Sequence, residues 1–225
     1  MRAFSQTEAR MKSLIQTLCL VGLLLLAAAA PASTEQDFAA AETPFHKALA
    51  GDSGSSDEAA ARFESLAAAA TPHAPLFQAY FGAAQTLQGR DAWMPWNKMR
   101  ITERGLAAID KALSRLTSAH DATLLRGAPL ALETRLVAAS TFLAVPDMFH
   151  RLDDAKAVLR AAFASPAFAA APASMRAELY RQAALAAARD KKPQEEIEQL
   201  KKTVAAEPNG PAAAAARQRL QEIGS

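Results

Sequence analysis

Few residues in this sequence could do chemistry, and their spacing limits what each can do. Gly51-Asp52-Ser53-Gly54 spells a serine-nucleophile motif. That motif works because a β-barrel positions the serine beside His and Asp and supplies an oxyanion hole, and no such barrel is available here. The surrounding text reads instead as a solvated joint. His46, His73, His120 and His150 are scattered, without the H-x-x-x-H or H-E-x-x-H spacing that puts two ligands on one helix face. His150 with Asp153 or Asp154 at helical distance is the one metal-binding constellation. Acidic charge favouring the start of a helix near Leu152 accounts for those acids better. No Gly-rich phosphate loop is written anywhere. The sequence implies no catalytic residue, no metal and no cofactor, and reads as non-enzymatic.

The most individual segment is Arg90-Asp-Ala-Trp93-Met-Pro-Trp96-Asn97-Lys98, which holds both tryptophans of the protein. Two readings compete for it. As a lid, the indoles would cover the end of a helix pair whose alanines leave it unfilled. As an anchor, Trp93 and Trp96 would seat a partner. The tendency of large aromatics to be buried favours the lid.

Behind these residues stands a helical text. Of 225 residues 57 are alanine, whereas valine and isoleucine together number ten and aromatics are 6%. Strands need the β-branched and aromatic types, and helices favour Ala, Leu, Arg, Gln and Glu. A sheet protein is thereby excluded, and 51% hydrophobic residues exclude a disordered one.

Residues 14–30 form an apolar run, preceded by Arg10 and Lys12 and followed by Ala30-Pro31-Ala32. A positive flank, an apolar core and a small-x-small exit predict a secretory signal peptide over 1–32, cleaved after Ala32. The only cysteine, Cys19, lies inside that run, so the exported part would carry no disulfide and no thiolate site. It would also keep no stable membrane anchor, and its 22 cations would balance 22 anions. Nucleic-acid binders need a basic surplus, so nucleic acid is excluded. No polybasic stripe points to anionic lipid either. A neutral surface of mixed charge suits a protein that meets other proteins.

Residues 33–56 read as a weakly ordered segment, with a short helix near 38–49 and a joint closed by Gly51-Asp-Ser-Gly-Ser-Ser. From 57 to 225 the pattern is all-α. Asp57 caps a first helix, Pro75 opens another that Gly89 stops, and Asn97 opens an amphipathic helix. In that last helix Met99, Thr102, Leu106, Ile109, Leu113 and Leu116 form one stripe. Pro129, Pro172, Pro193 and Pro211 open later helices, and short turns between them require antiparallel hairpins.

The stretch from Ala177 to Pro208 resembles a tetratricopeptide repeat. Tyr180 stands at the Trp position of that pattern, Ala183-Ala184 at Leu-Gly, Leu200 at Phe and Pro208 at the closing proline. Ala187, Glu196 and Thr203 depart from it. Leu136 to Pro166 matches more loosely, and Phe81-Gly82 offers a third Leu-Gly. First helices near 73, 129 and 173 are spaced more widely than the family's usual ~34 residues. The resemblance implies a short α-solenoid whose first helices line a groove for a peptide or protein partner. It puts Glu178, Arg181, Leu185 and Arg189 on the groove face. The family's carboxylate clamp is absent, since Asn97 and Asn209 are the only asparagines.

The expected function is that of an exported, periplasmic or secreted, scaffold acting by protein–protein contact. The alternative is a small-ligand carrier with an apolar cavity walled by Phe77, Phe81, Phe142 and Phe163.

Overall fold

The computed structural model describes residues 30–224. The expected leader and its cysteine fall almost wholly outside the described residues. Two compact units divide the chain, residues 1–39 and 40–225. Of the first, residues 30–39 are described and form the opening of helix α1 (Ala30–Leu49).

The second unit is an all-α stack of helices packed in neighbouring pairs. After the end of α1 come α2 (Gly54–Ala68), α3 (Ala74–Asp91) and α4 (Pro95–Ser114). A short turn, α5 (Ala119–Ala122), leads into a two-stranded hairpin, β1 (Leu124–Leu125) and β2 (Ala128–Pro129). Then follow α6 (Leu130–Ala144), a 3-10 turn at Asp147–Phe149, and α7 (Leu152–Phe163). The chain ends in α8 (Ala173–Arg189), α9 (Pro193–Ala206) and α10 (Pro211–Glu222). The pairs α3/α4, α6/α7 and α8/α9 follow one another, and α6 packs against both α3 and α8.

Proline places the helix starts. Pro75, Pro95, Pro193 and Pro211 stand in the first turn of their helices, where a missing N–H costs nothing. Pro44 is the exception, lying inside α1. The segment 33–56, expected to be weakly ordered with a short helix near 38–49, is helical over most of its length: α1 is longer than that helix and runs to Leu49, and α2 already begins at Gly54. Asp52 accepts from the Gly54 N–H at 3.2 Å and from the Ser55 hydroxyl at 2.8 Å, which fixes that start ahead of Asp57.

The closest packing joins α3 to α4. A Cβ on Gly82 would stand 2.5 Å from the Gly105 carbonyl oxygen, and a Cβ on Gly105 would stand 2.5 Å from that of Gly82. Gly89 lies against Thr102 in the same seam. Gly89 is thus a packing residue inside α3, where the sequence reading has it ending the helix. Where alanines leave wider seams, aromatics fill them. Phe63 of α2 stacks on Tyr80 of α3 at 4.8 Å between ring centroids, with Phe45 of α1 edge-on to both. Phe163 of α7 stacks on Tyr180 of α8 at 5.2 Å, with Phe168 edge-on to both.

The hairpin pairs Leu124 with Pro129 and Leu125 with Ala128. Both residues between the strands, Arg126 and Gly127, have positive φ, 50° and 76°. That geometry suits a tight reversal of the primed kind. Residues 115–129 form an insertion between the first two hairpins, which lengthens the spacing from the first-helix start at 74 to the next at 130.

Gly105→Ala should lower unfolding stability by about 1–3 kcal/mol in urea denaturation, although alanine is the better helix former. Gly54→Ala, whose new Cβ would meet nothing closer than 3.7 Å, should cause no loss.

Candidate functional site

The first helices of the three hairpins share one open groove of about 910 Å³. Tyr80, Ala83, Thr86 and Leu87 come from α3, and Glu133, Leu136, Val137 and Ser140 from α6. Met175, Glu178, Arg181 and Leu185 come from α8, while Phe45, His46 and Leu49 of α1 close one side. Apolar surface makes most of the wall. The hydroxyls of Thr86, Ser140 and Thr141 are turned back on their own helices, donating to the carbonyls of Ala83 at 2.8 Å, Val137 at 3.0 Å and Val137 at 2.8 Å. A hydroxyl spent this way is a satisfied polar group rather than an activated nucleophile.

One charged cluster reaches from the rim into the wall. The Tyr80 hydroxyl donates to Glu133 Oε1 at 3.0 Å. Arg126 Nη2 stands 3.5 Å from the same oxygen. Arg126 also grips Glu42 with both terminal nitrogens, Nη2 to Oε1 at 3.0 Å and Nη1 to Oε2. The positive φ of Arg126 at the hairpin tip lets the guanidinium reach two helices at once. Glu133 is only 6% exposed, and its Oε2 has no hydrogen-bond partner among the described residues. Burial raises its pKa above the usual carboxylate range, helped by the Glu42 charge and opposed by the Tyr80 hydrogen bond and Arg126. Tyr80 is held protonated, mainly by burial and then by the charges of Glu133 and Glu42.

A second polar group faces the groove from α8. Arg181 donates to Glu178 from Nε at 2.8 Å and from Nη2 at 2.6 Å, and Gln182 Nε2 donates to Glu178 at 2.8 Å. Gln182 is 3% exposed, with its Oε1 unpartnered among the described residues. Buried acceptors of this kind beside an apolar wall are uncommon in folded proteins.

The geometry brings Glu178, Arg181 and Leu185 together along the groove, positions the repeat resemblance implies. Arg189 is not with them. It lies in a smaller hollow with Pro146 and His150, its Nη1 3.7 Å from Asp147. The step from 185 to 189 carries it past the groove to the end of α8.

Trp93 and Trp96 overturn the lid expectation, since their side chains are 87% and 65% exposed. The seam they were expected to cover is already closed by glycine. Phe77 and Phe142 are buried in the core, and none of Phe77, Phe81, Phe142 and Phe163 lines the groove. His150 caps the 3-10 turn with φ 52°, while Asp153 and Asp154 pair with Lys156 at 3.0 Å and Arg151 at 2.9 Å. Among the described residues no group of three His, Cys, Asp or Glu side chains could hold a metal ion.

The Tyr80–Glu133–Arg126–Glu42 cluster escapes the sequence reading. Its signals were present: Glu133 is a lone charge among Leu130, Ala131, Leu132 and Thr134, and Arg126-Gly127 sits between short apolar pairs. Folded Glu133 holds its proton to higher pH than the unfolded chain does, so its ionisation opposes folding. Stability of the native protein relative to Glu133→Gln should therefore fall as pH rises from about 4.5 towards neutrality. Parallel urea titrations across that range measure the difference.

No protein-family model, no curated protein and no solved structure matches this chain, so its function has to be read from the groove itself.

Proposed function

We propose that this chain is an exported tetratricopeptide-like scaffold of the cell envelope, holding an apolar-anchored peptide segment in the groove without catalysis. One observation carries the reading: the first helices of three successive hairpins, α3, α6 and α8, contribute to a single groove. Helix repeats that cannot bury their faces alone stack in this way and leave a concave side for a partner. The groove is mostly apolar, and its charges are already paired within the protein. Apolar side chains of the partner therefore supply the affinity, while Arg181, Glu178 and the rim of Arg126 set orientation. The export element of the proposal rests on residues 1–32 as read from the sequence.

A small-ligand carrier is the second reading. A volume of about 910 Å³ falls near the upper end of ordinary ligand pockets, roughly 300–1,000 Å³.

Capture from envelope extract followed by native mass spectrometry separates the two by the mass of what is bound. On the scaffold reading, Leu49→Glu with Leu185→Glu abolishes capture of the partner at unchanged melting temperature, because both line the groove and are exposed. Arg189→Glu leaves capture intact. Equal loss with Arg189→Glu, or none with the leucine pair, would sink the groove as the binding surface.

A further inference from the structure

The tryptophan turn lies apart from the groove, since no groove-lining residue comes from 90–104. Where α3 gives way to α4, Trp93 and Met94 of the turn and Trp96 and Met99 at the start of α4 are exposed in succession. Four large apolar side chains facing water in one short segment form an unfavourable patch for a free protein.

The turn is also firmly built. Lys98 Nζ donates to the Arg90 carbonyl at 2.6 Å across it, and the Lys98 N–H donates to the Met94 carbonyl at 3.0 Å. Gly89 packs on Thr102 at its base. A rigid base presents the rings without the entropy loss that ordering a floppy loop would require. Exposure here is a property of the native fold.

Charge selects among possible partners. No polybasic stripe runs along the chain, yet residues 90–104 carry Arg90, Lys98, Arg100 and Arg104 against Asp91 and Glu103, while the rest of residues 33–225 holds 18 cations and 20 anions. Arg90 is neutralised by Asp91 at 2.7 Å. Lys98 and Arg100 follow Trp96 by two and four residues, and among the described residues their side chains donate to neutral acceptors, Lys98 to the Arg90 carbonyl and Arg100 to Asn97 Oδ1 at 3.0 Å. Asp57 of α2, which shares a hollow with Arg100 and Arg104, accepts from Gln88 at 2.7 Å.

We propose that this turn is a peripheral docking site for an anionic phospholipid surface, with Trp93 and Trp96 entering the headgroup region and Lys98, Arg100 and Arg104 meeting lipid phosphates. Indoles favour that interface because one ring offers both an apolar body and an N–H donor. Cations beside them add electrostatic attraction to anionic lipid. An indole exposed on a turn needs a surface that closes around it, and a bilayer interface does so for each ring without a preformed pocket. Among the described residues no helix is long and apolar enough to cross a membrane, so the contact is superficial.

Both tryptophans of the chain lie in this turn, so intrinsic fluorescence reports on it alone. The full chain is titrated with vesicles of equal parts phosphatidylglycerol and phosphatidylcholine, and with phosphatidylcholine alone. The expected result is a blue shift of emission, quenching by lipids brominated near the headgroup, and roughly tenfold tighter binding to the anionic vesicles. Arg100→Glu with Arg104→Glu keeps both fluorophores and should lose roughly that factor. Trp93→Ala with Trp96→Ala should keep the melting temperature of the native chain. Unchanged emission overturns the proposal, whether the chain stays in solution, sediments through residues 14–30, or protects the turn with a protein partner instead. Equal binding to both vesicle types overturns the anionic assignment. These outcomes are independent of whether the groove holds a peptide.

Discussion

The approach of α3 to α4 at Gly82 and Gly105 sets the geometry of the first hairpin, and the groove inherits it. With each would-be Cβ 2.5 Å from the opposing carbonyl oxygen, the two backbones leave no room for side chains at the crossing. Helix pairs ordinarily keep a layer of side chains between their axes and tolerate small slides. Removing that layer pins the rotation of α3. Its opposite side then presents Tyr80, Ala83 and Leu87 to the groove. Tyr80 consequently meets Glu133 of α6 at hydrogen-bonding distance, and the first hairpin is locked to the second.

That lock is electrostatic as well as steric. A carboxylate as deeply buried as Glu133 is normally a liability, because losing its water costs more than one partner returns. Tyr80, Arg126 and, through Arg126, Glu42 share the burden. Arg126 reaches them from a tight turn in a left-handed conformation that costs a non-glycine residue on the order of 1–2 kcal/mol. Strain in the backbone and burial of a charge are thus coupled at one hairpin tip. Three elements distant in sequence, α1, the hairpin and α6, are held there by a few polar atoms.

Much of this architecture was legible in the sequence. The bounds 152–163 for α7 and 193–206 for α9 emerge directly from apolar spacing and a proline start. Leu152, Ala155 and Leu159 recur at helical steps, and Pro193 can stand only in a first turn. Legibility fails where distant residues decide. Gly89 reads locally as a stop, yet Thr102, on the next helix, gives it a packing role inside α3. Pro44 reads as a break, yet α1 continues through it. Trp93 and Trp96 read as a lid because large aromatics usually find cover, and no local pattern reveals that glycines had already closed the seam. In the groove, three of the four α8 positions named from the repeat resemblance line the wall, and Arg189 does not because it lies one turn too far along the helix. Glu133 and Arg126 are brought together by the hairpin reversal, which composition argued against.

The stacking order has a kinetic side. Most packed neighbours are consecutive helices, α2 with α3, α3 with α4, α6 with α7, α8 with α9 and α9 with α10. Chains dominated by such short-range contacts close small loops first and fold fast. They also open in sections, as linear arrays do. The final section is held by a small cluster of Ala184, Leu200 and Ala216 with Val204, Leu220 and Ile223 around it, whereas α6 is sheathed on several sides. Hydrogen exchange would therefore run as a gradient along the stack, fast at α10 and slow at α6. The wall of the groove most open to breathing would be the one carrying Arg181 and Leu185.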